Sequence, residues 1–417
     1  MRPGAHRSPA SACTPTSHRR APPHSALRNP PVPVPPIQQA FRFELLARCP
    51  ATRARVGRFH TPHGALETPA FMPVGTRGSV KGLTPEQIAA TGTRMLLGNT
   101  YHLALRPGSE VVRELGGLAR FMAWDGPTLT DSGGYQVFSL GHLACIDESG
   151  VRLRSVIDGA PFDLSPERAI EIQLDLGADV IMAFDHCAAD PLDRPGVEAA
   201  GERTARWLER CVARWRRGLD GDRPQALFGI VQGGAFPDLR ARSLAQVTAF
   251  DLPGYAVGGV SVGEHDGAME LAVESATPGL PEDRPRYLMG VGTRRHFAMA
   301  ISHGIDLFDC VTPTRHGRNH QAYVGSGRLN LRNQRFARDS SPLDPECDCP
   351  VCARYSRGYL RHLCNSGEML AGTLLSWHNL RTFQRWMETI RAAIRAGDFA
   401  SLASAWRAPE EGAREQA

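Results

Sequence analysis

Five short apolar runs in this chain each end on residues able to do chemistry. Thr128-Leu129-Thr130 leads into Asp131-Ser132-Gly133-Gly134-Tyr135-Gln136, and the run from Val180 to Phe184 leads into Asp185-His186-Cys187. Leu227 to Val231 runs into Gln232-Gly233-Gly234, Tyr255 to Gly258 into Gly259-Val260-Ser261-Val262-Gly263-Glu264, and Leu307-Phe308 into Asp309. Glycines at such ends let a flat ligand approach the main chain closely. A carboxylate, a carboxamide and free backbone amides can read the edge of a purine-like heterocycle, and Tyr135 could stack on its face. Two further aspartates can divide nucleophilic and proton-transfer work at a sugar carbon. Each aspartate taken alone would be an ordinary turn or helix cap. Agreement among five strand ends argues for one shared mouth.

Two cationic segments accompany these acids. Gly290-Val291-Gly292-Thr293 is followed by Arg294-Arg295-His296, and Asp309 is followed by Thr314-Arg315-His316-Gly317-Arg318. Arginine, glycine amides and a threonine hydroxyl suit phosphate contacts. Solvated arginine-rich loops are the competing reading. Of the 48 basic residues only Lys81 is lysine, a skew that suggests a GC-rich genome and cautions against reading each arginine as functional.

A third group lies near the C-terminus: Cys347-Asp348-Cys349-Pro350-Val351-Cys352, with His378 in Ser376-Trp377-His378-Asn379. Three thiolates and an imidazole complete a closed tetrahedral zinc site, which implies a structural role. His362 and Cys364 are rival ligands. His378 is preferred because Tyr355 to Leu375 reads as a helix that returns the chain to the cysteines.

The elements that must position these residues alternate between strand-like and helix-like patterns. Candidate strands end near Val74, Gly98, Asp131, Asp185, Gln232, Gly259, Met289 and Asp309. Eight strands separated by helix-length segments predict an α/β fold, a (β/α)₈ barrel whose reacting groups sit at the C-terminal strand ends. Thr84-Pro85-Glu86-Gln87 has the form of a capping box, and Ser165-Pro166-Glu167 starts another helix. Trp207, Leu208, Cys211, Val212 and Trp215 form an apolar helical stripe that reads as core. Alternation on either side of Asp158-Gly159 predicts that Val151 to Leu164 is a hairpin inserted between Asp131 and the helix begun at Ser165.

With 417 residues, 42% of them hydrophobic and 22% charged, the chain is long and apolar enough for a large globular core. A net charge of +5 permits a polyanionic partner without requiring one. Residues 1–40, rich in Pro, Ser and Arg, are expected to be disordered, as a true extension or as the product of an upstream start codon. Residues 41–407 form the expected catalytic unit, with a zinc subdomain at about 325–390, and residues 408–417 a flexible tail. No secretory signal or long apolar span is evident, so the reduced cytoplasm is the expected compartment.

From about Phe41 to His378 and somewhat beyond, the chain resembles the bacterial queuine tRNA-ribosyltransferase (tRNA-guanine transglycosylase) family. The resemblance rests on Asn99-Thr100-Tyr101-His102-Leu103, on Thr130 through Phe138, on Gly229-Ile230-Val231-Gln232-Gly233-Gly234, on Asp309 through Asn319, and on the cysteine pattern. It implies a zinc-containing barrel, usually a homodimer, with one structural zinc per subunit. The implied reaction exchanges guanine at the wobble position of tRNAs with GUN anticodons (Asp, Asn, His, Tyr) for 7-aminomethyl-7-deazaguanine, the queuosine precursor. By the same resemblance Asp309 would be the nucleophile and Asp131 the proton acceptor. Asp131, Ser132, Gly133, Gly134, Tyr135, Asp185, Gln232, Gly259 and Met289 would form the base pocket. Gly290 to His296 and Thr314 to Arg318 would bind the anticodon loop, and Cys347, Cys349, Cys352 and His378 the zinc. An anticodon base is single-stranded and can be unstacked at low cost, and exchange of one glycosidic bond for another needs no energy cofactor.

Two positions depart from the family pattern. His186 stands where glutamate is usual, and Val260-Ser261 where Leu-Ala is frequent; either could alter base recognition or proton traffic. Cys187 and Val262 look like the bacterial enzymes that take the aminomethyl base. A catalytically silent tRNA-binding subunit is the alternative of another class, and retention of Asp131, Asp185 and Asp309 argues against it. An archaeal-type exchanger would be expected to carry a further C-terminal RNA-binding domain. A glycoside hydrolase would leave the arginine segments and the zinc group unexplained.

Overall fold

The computed structural model describes residues 37–139, 144–219, 223–261, 263–325 and 327–408. Most of the expected extension (residues 1–36) and of the tail (409–417) lies outside this range, as does Val262.

Eight parallel strands close into a barrel in sequence order: β1 (Ala70–Gly75), β2 (Leu96–Gly98), β3 (Thr128–Thr130), β4 (Val180–Met182), β5 (Ala226–Val231), β6 (Gly254–Val257), β7 (Arg286–Leu288) and β8 (Leu307–Cys310). Closure comes from β8 against β1, where Asp309 pairs with Met72 and Phe308 with Phe71. The strands are short and almost wholly buried, as expected where helices cover a parallel sheet. The expected strand ends agree with these strands to within a few residues. Val74, Gly98 and Asp309 lie inside their strands, and Asp185 lies furthest from its strand end, three residues beyond Met182.

Helix starts follow their local chemistry. Thr84 and Gln87 form the reciprocal capping box ahead of Pro85–Ala89. Ser165 caps Pro166–Leu176, which ends on Gly177 in the left-handed region. The predicted stripe of Trp207, Leu208, Cys211, Val212 and Trp215 is the buried face of α1 (Arg194–Gly218). Helices α2 (Pro237–Thr248), α3 (Arg294–Ser302) and α4 (Thr312–Arg318) follow β5, β7 and β8.

Several expectations need correction. The inserted hairpin is a three-stranded antiparallel sheet, because Ala144–Ile146 pairs with Val151–Arg154 beside Pro161–Leu164. The single helix expected from Tyr355 to Leu375 is two: α5 (Arg357–Ser366) stops at Gly367, whose φ of +71° ends the helical path, and α6 (Met369–Ala396) begins after it. Thr314–Arg318 belongs to a helix, not a loop, and Arg294–His296 is the first turn of another. Ile37–Ala40, expected to be disordered, forms a helical turn with Ile37 packed into the core.

An antiparallel sheet that the sequence pattern did not reveal (Phe43–Arg48, Arg55–Thr61, Gly64–Thr68) lies under the N-terminal end of the barrel. Its Phe59 packs on Phe228 of β5. Its Arg55 makes a buried bidentate pair with Asp306 at 2.9 and 2.6 Å. Its turn places His63 Nδ1 2.8 Å from Asp179. Helix α6 joins the barrel to the C-terminal subdomain: Gln384 donates to the Phe71 carbonyl, and His378 reaches the cysteine group.

Candidate active site

A cleft of about 530 Å³ opens at the C-terminal strand ends, lined among others by Asp131, Asp185, Gly259, Met289 and Asp309. Asp131 follows β3 at once. Its carboxylate accepts from the Thr100 N–H at 2.7 Å and from the Asn99 carboxamide, while the Thr100 hydroxyl donates to the Asp131 carbonyl. Burial drives its pKa up from 3.8 to about 6, against the pull of these donors and with a small contribution from the charge of Asp309.

Asp185 follows β4. Its two oxygens accept from Ser132 Oγ (3.0 Å) and Gln232 Nε2 (2.7 Å). Burial raises its pKa too. Gly134 must lack a side chain, since a Cβ there would lie 2.3 Å from Asp185 Oδ1. Gly259, at φ +62°, is under the same constraint from Gln232, whose Oε1 would be 2.4 Å from a Cβ.

Asp309 sits across the cleft. One oxygen, Oδ1, accepts from the Tyr287 hydroxyl at 2.6 Å and the Gly290 N–H at 2.7 Å. Tyr287 is buried, and desolvation with the adjacent carboxylate holds its phenol pKa well above the ordinary value, so it remains a donor. Burial raises the Asp309 pKa. One carboxylate oxygen is thus held by two donors that orient the side chain.

The cleft brings together Asp131, Tyr135, Asp185, Gly259, Met289, Gly290, Asp309 and Arg315 of the sequence-predicted residues. Tyr135 is 57% exposed at the rim, where a ring could stack on it. Ser132 and Gln232 stand behind the lining and hold Asp185, the Gly134 N–H donates to Ser132 Oγ, and Gly133 packs near Leu164 of the inserted sheet. The cationic residues divide. Arg315 lines the cleft and Arg295 is exposed beside Asp266. Arg294 turns inward: its guanidinium lies 4.6 Å from the Trp406 ring centre and donates to the Gly325 carbonyl. Val291 is buried, and Gly292 lies against Cys310. Thr293 caps α3, and His296 bonds to Asp266. Thr314 is buried, His316 bonds to Tyr323, and Arg318 donates back to Thr314. Gly317 is a packing position, since a Cβ would fall 2.6 Å from the Ser376 backbone.

Sequence reasoning gave no role to Asn99, Tyr287 or Arg240. Asn99 was visible only as part of a motif, and Tyr287 lies within the strand expected to end near Met289. Of the two departures, His186 is not among the lining residues: its Nδ1 faces Arg203 at 3.1 Å, and burial together with that charge pushes its pKa down to about 4. It is a neutral acceptor turned towards α1. Ser261 does line the cleft, at φ +60°, with its hydroxyl on the Gly290 carbonyl at 3.2 Å.

The ligand atoms of Cys347, Cys349, Cys352 and His378 all lie within 4.8 Å of one another, as one tetrahedral ion requires. His378 Nε2 lies 2.7 Å from the Tyr323 carbonyl, which fixes the proton there and leaves Nδ1 facing the thiols. The donor set fits a structural metal. The rivals His362 and Cys364 stand outside this group.

Residues 49–411 match the family described as TGT, queuine tRNA-ribosyltransferase. The queuine tRNA-ribosyltransferase of Synechococcus sp. (strain CC9902) is 55% identical over 367 residues, 88% of this chain and 97% of the relative. One from Thermus thermophilus is 56% identical over 363 residues, 87% and 92% of the two chains. That of Synechococcus elongatus is 53% identical over 370 residues, 89% and 95%. A match of this extent, over a chain whose barrel gathers the motif aspartates in one cleft, means that the protein belongs to the queuine tRNA-ribosyltransferase family.

Proposed function

We propose that this chain is a tRNA-guanine transglycosylase that replaces guanine at the wobble position of GUN-anticodon tRNAs by 7-aminomethyl-7-deazaguanine through a double displacement. The observation that carries the reading is the pairing of two buried carboxylates from β3 and β8 across a cleft that also presents Asp185 and Gly259. In the first half-reaction the Asp309 carboxylate attacks the anomeric ribose carbon. The bond to guanine N9 breaks, and guanine leaves with the electron pair and takes a proton from solvent water. In the second, the incoming base gives its N9 proton to Asp131 and attacks the same carbon, and the bond to Asp309 breaks. Asp185, held by Ser132 and Gln232, and the Gly259 main chain read the base edge, with Ser132, Gly133 and Gly134 shaping the pocket, Tyr135 stacking at its rim and Met289 at its wall. Arg295 and Arg315 are the cations best disposed towards anticodon phosphates.

Zinc is the metal that three thiolates and an imidazole select, one per chain, in a structural role. A homodimer is supported by exposed apolar side chains on the C-terminal subdomain, Tyr359, Met369 and Leu370, with Met369 91% exposed. No described helix is long and apolar enough to cross a membrane, and a tRNA substrate favours the cytoplasm.

The test is incorporation of labelled guanine into an unmodified GUN-anticodon tRNA. Asp309→Ala should abolish incorporation and the covalent RNA adduct; an adduct that survives in this variant would remove Asp309 as nucleophile. Competition among guanine, the aminomethyl base and queuine identifies the physiological substrate.

A further inference from the structure

Arg240 on α2 is fully buried, yet it is not one of the residues that line the cleft. Its donors go to main-chain carbonyls at the ends of two neighbouring strands. Nε donates to Gly234 at 2.8 Å, and one terminal nitrogen donates to both Val231 and Gly258 at 2.8 Å. The other terminal nitrogen reaches Gly259 at 3.5 Å. Desolvation lowers its pKa to about 10, a sign of how unfavourable this position is for a cation. An apolar side chain could fill the same space at lower cost, so the carbonyl contacts are the feature that needs a guanidinium.

Those contacts have a geometric consequence. The C=O and N–H of one trans peptide point in opposite directions within a plane. The Gly258 carbonyl turns to Arg240, so the Gly259 N–H turns away from it. The Gly259 carbonyl does the same for the Val260 N–H. Gly258, Gly259 and Val260 all line the cleft. Gly258 and Gly259 have no side chain to restrain them, and Gly259 is at φ +62°. Without an anchor these peptides would be free to rotate. The Val231 and Gly234 carbonyls flank Gln232, so the same guanidinium also braces the residue that holds Asp185.

We propose that Arg240 is a positioning residue that aims the Gly259 and Val260 amides into the cleft and so sets recognition of the oxo group of a purine-type base. The proposal rests on the reading of this cleft as a guanine-exchange site. It is tested with Arg240→Lys, which keeps the charge but cannot span four carbonyls. The KM for guanine should rise about tenfold, the equivalent of one lost hydrogen bond, while kcat and the KM for tRNA stay within about twofold. A merely structural arginine would instead lower the melting temperature and kcat with the guanine KM unchanged, and that result overturns the proposal. Should the variant not fold, amide hydrogen exchange on the wild-type enzyme decides. The Gly259–Val260 amides should exchange readily in the free enzyme and slow when guanine is added; no slowing overturns the proposal. Failure of the wild type to incorporate guanine at all would reject the underlying reading of the cleft instead.

Discussion

Asp131 is placed where folding and catalysis oppose each other. Burial raises its pKa from 3.8 to about 6, so the folded protein binds a proton more readily than the unfolded chain does. Stability therefore falls as pH rises from about 4 through 6, and at neutral pH the ionised group costs about 3 kcal/mol. As a proton acceptor the same group works only when ionised. Exchange should accordingly fall off below about pH 6 in the pH profile of kcat/KM. Asp131→Asn should lower exchange by about 100-fold or more, since general-base contributions are of that order. It should also raise stability to denaturant at about pH 7.5, by up to about 3 kcal/mol, with the gain gone below about pH 4. Asn99 can turn its amide oxygen towards the new side chain. The three aspartates were legible in the sequence because each follows an apolar run. Their partners were not, because Tyr287 and Asn99 meet Asp309 and Asp131 only across neighbouring strands of the barrel.

At the scale of elements, the cationic segment after β8 is positioned by helix packing. Gly317 lets α4 lie directly on α6, with a Cβ excluded by Ser376 N at 2.6 Å and Cα at 2.8 Å. Gly317→Ala must push the helices apart at a cost of about 1–3 kcal/mol, measurable by urea unfolding. Because Arg315 is on α4, the same variant should raise the KM for tRNA more than the KM for guanine. A sequence reader sees Arg-His-Gly-Arg as a loop, since glycine and proline in a short segment signal a turn. Contact with α6, which the linear pattern does not contain, makes it a helix. Likewise Gly367 breaks what hydrophobic periodicity presents as one continuous helix, through a backbone conformation that periodicity does not report.

At the scale of the whole molecule, α6 is the member that makes barrel and C-terminal subdomain one structure. Its 28 residues span about 42 Å. They pack Phe383 and Trp386 into the main core and Leu374 and Leu375 into the core around the cysteines. Removal of the metal with a strong chelator should therefore lower the melting temperature of the whole protein and not only loosen the subdomain. Elemental analysis should return one zinc per chain before treatment. Retention of the full melting temperature after complete metal loss would contradict a structural metal. The barrel, the order of its strands, the acids at their ends and the cysteine group were all determined by the sequence itself. Short buried strands, helix caps and ligand spacing are local signals, and they survive in a linear reading. Tertiary structure alone decided which nitrogen or hydroxyl holds each carboxylate, that Arg294 faces inward while Arg315 faces the cleft, and that Arg240 braces two strand ends. Those outcomes depend on atoms brought together by barrel closure from distant parts of the chain, and no local pattern encodes such distances.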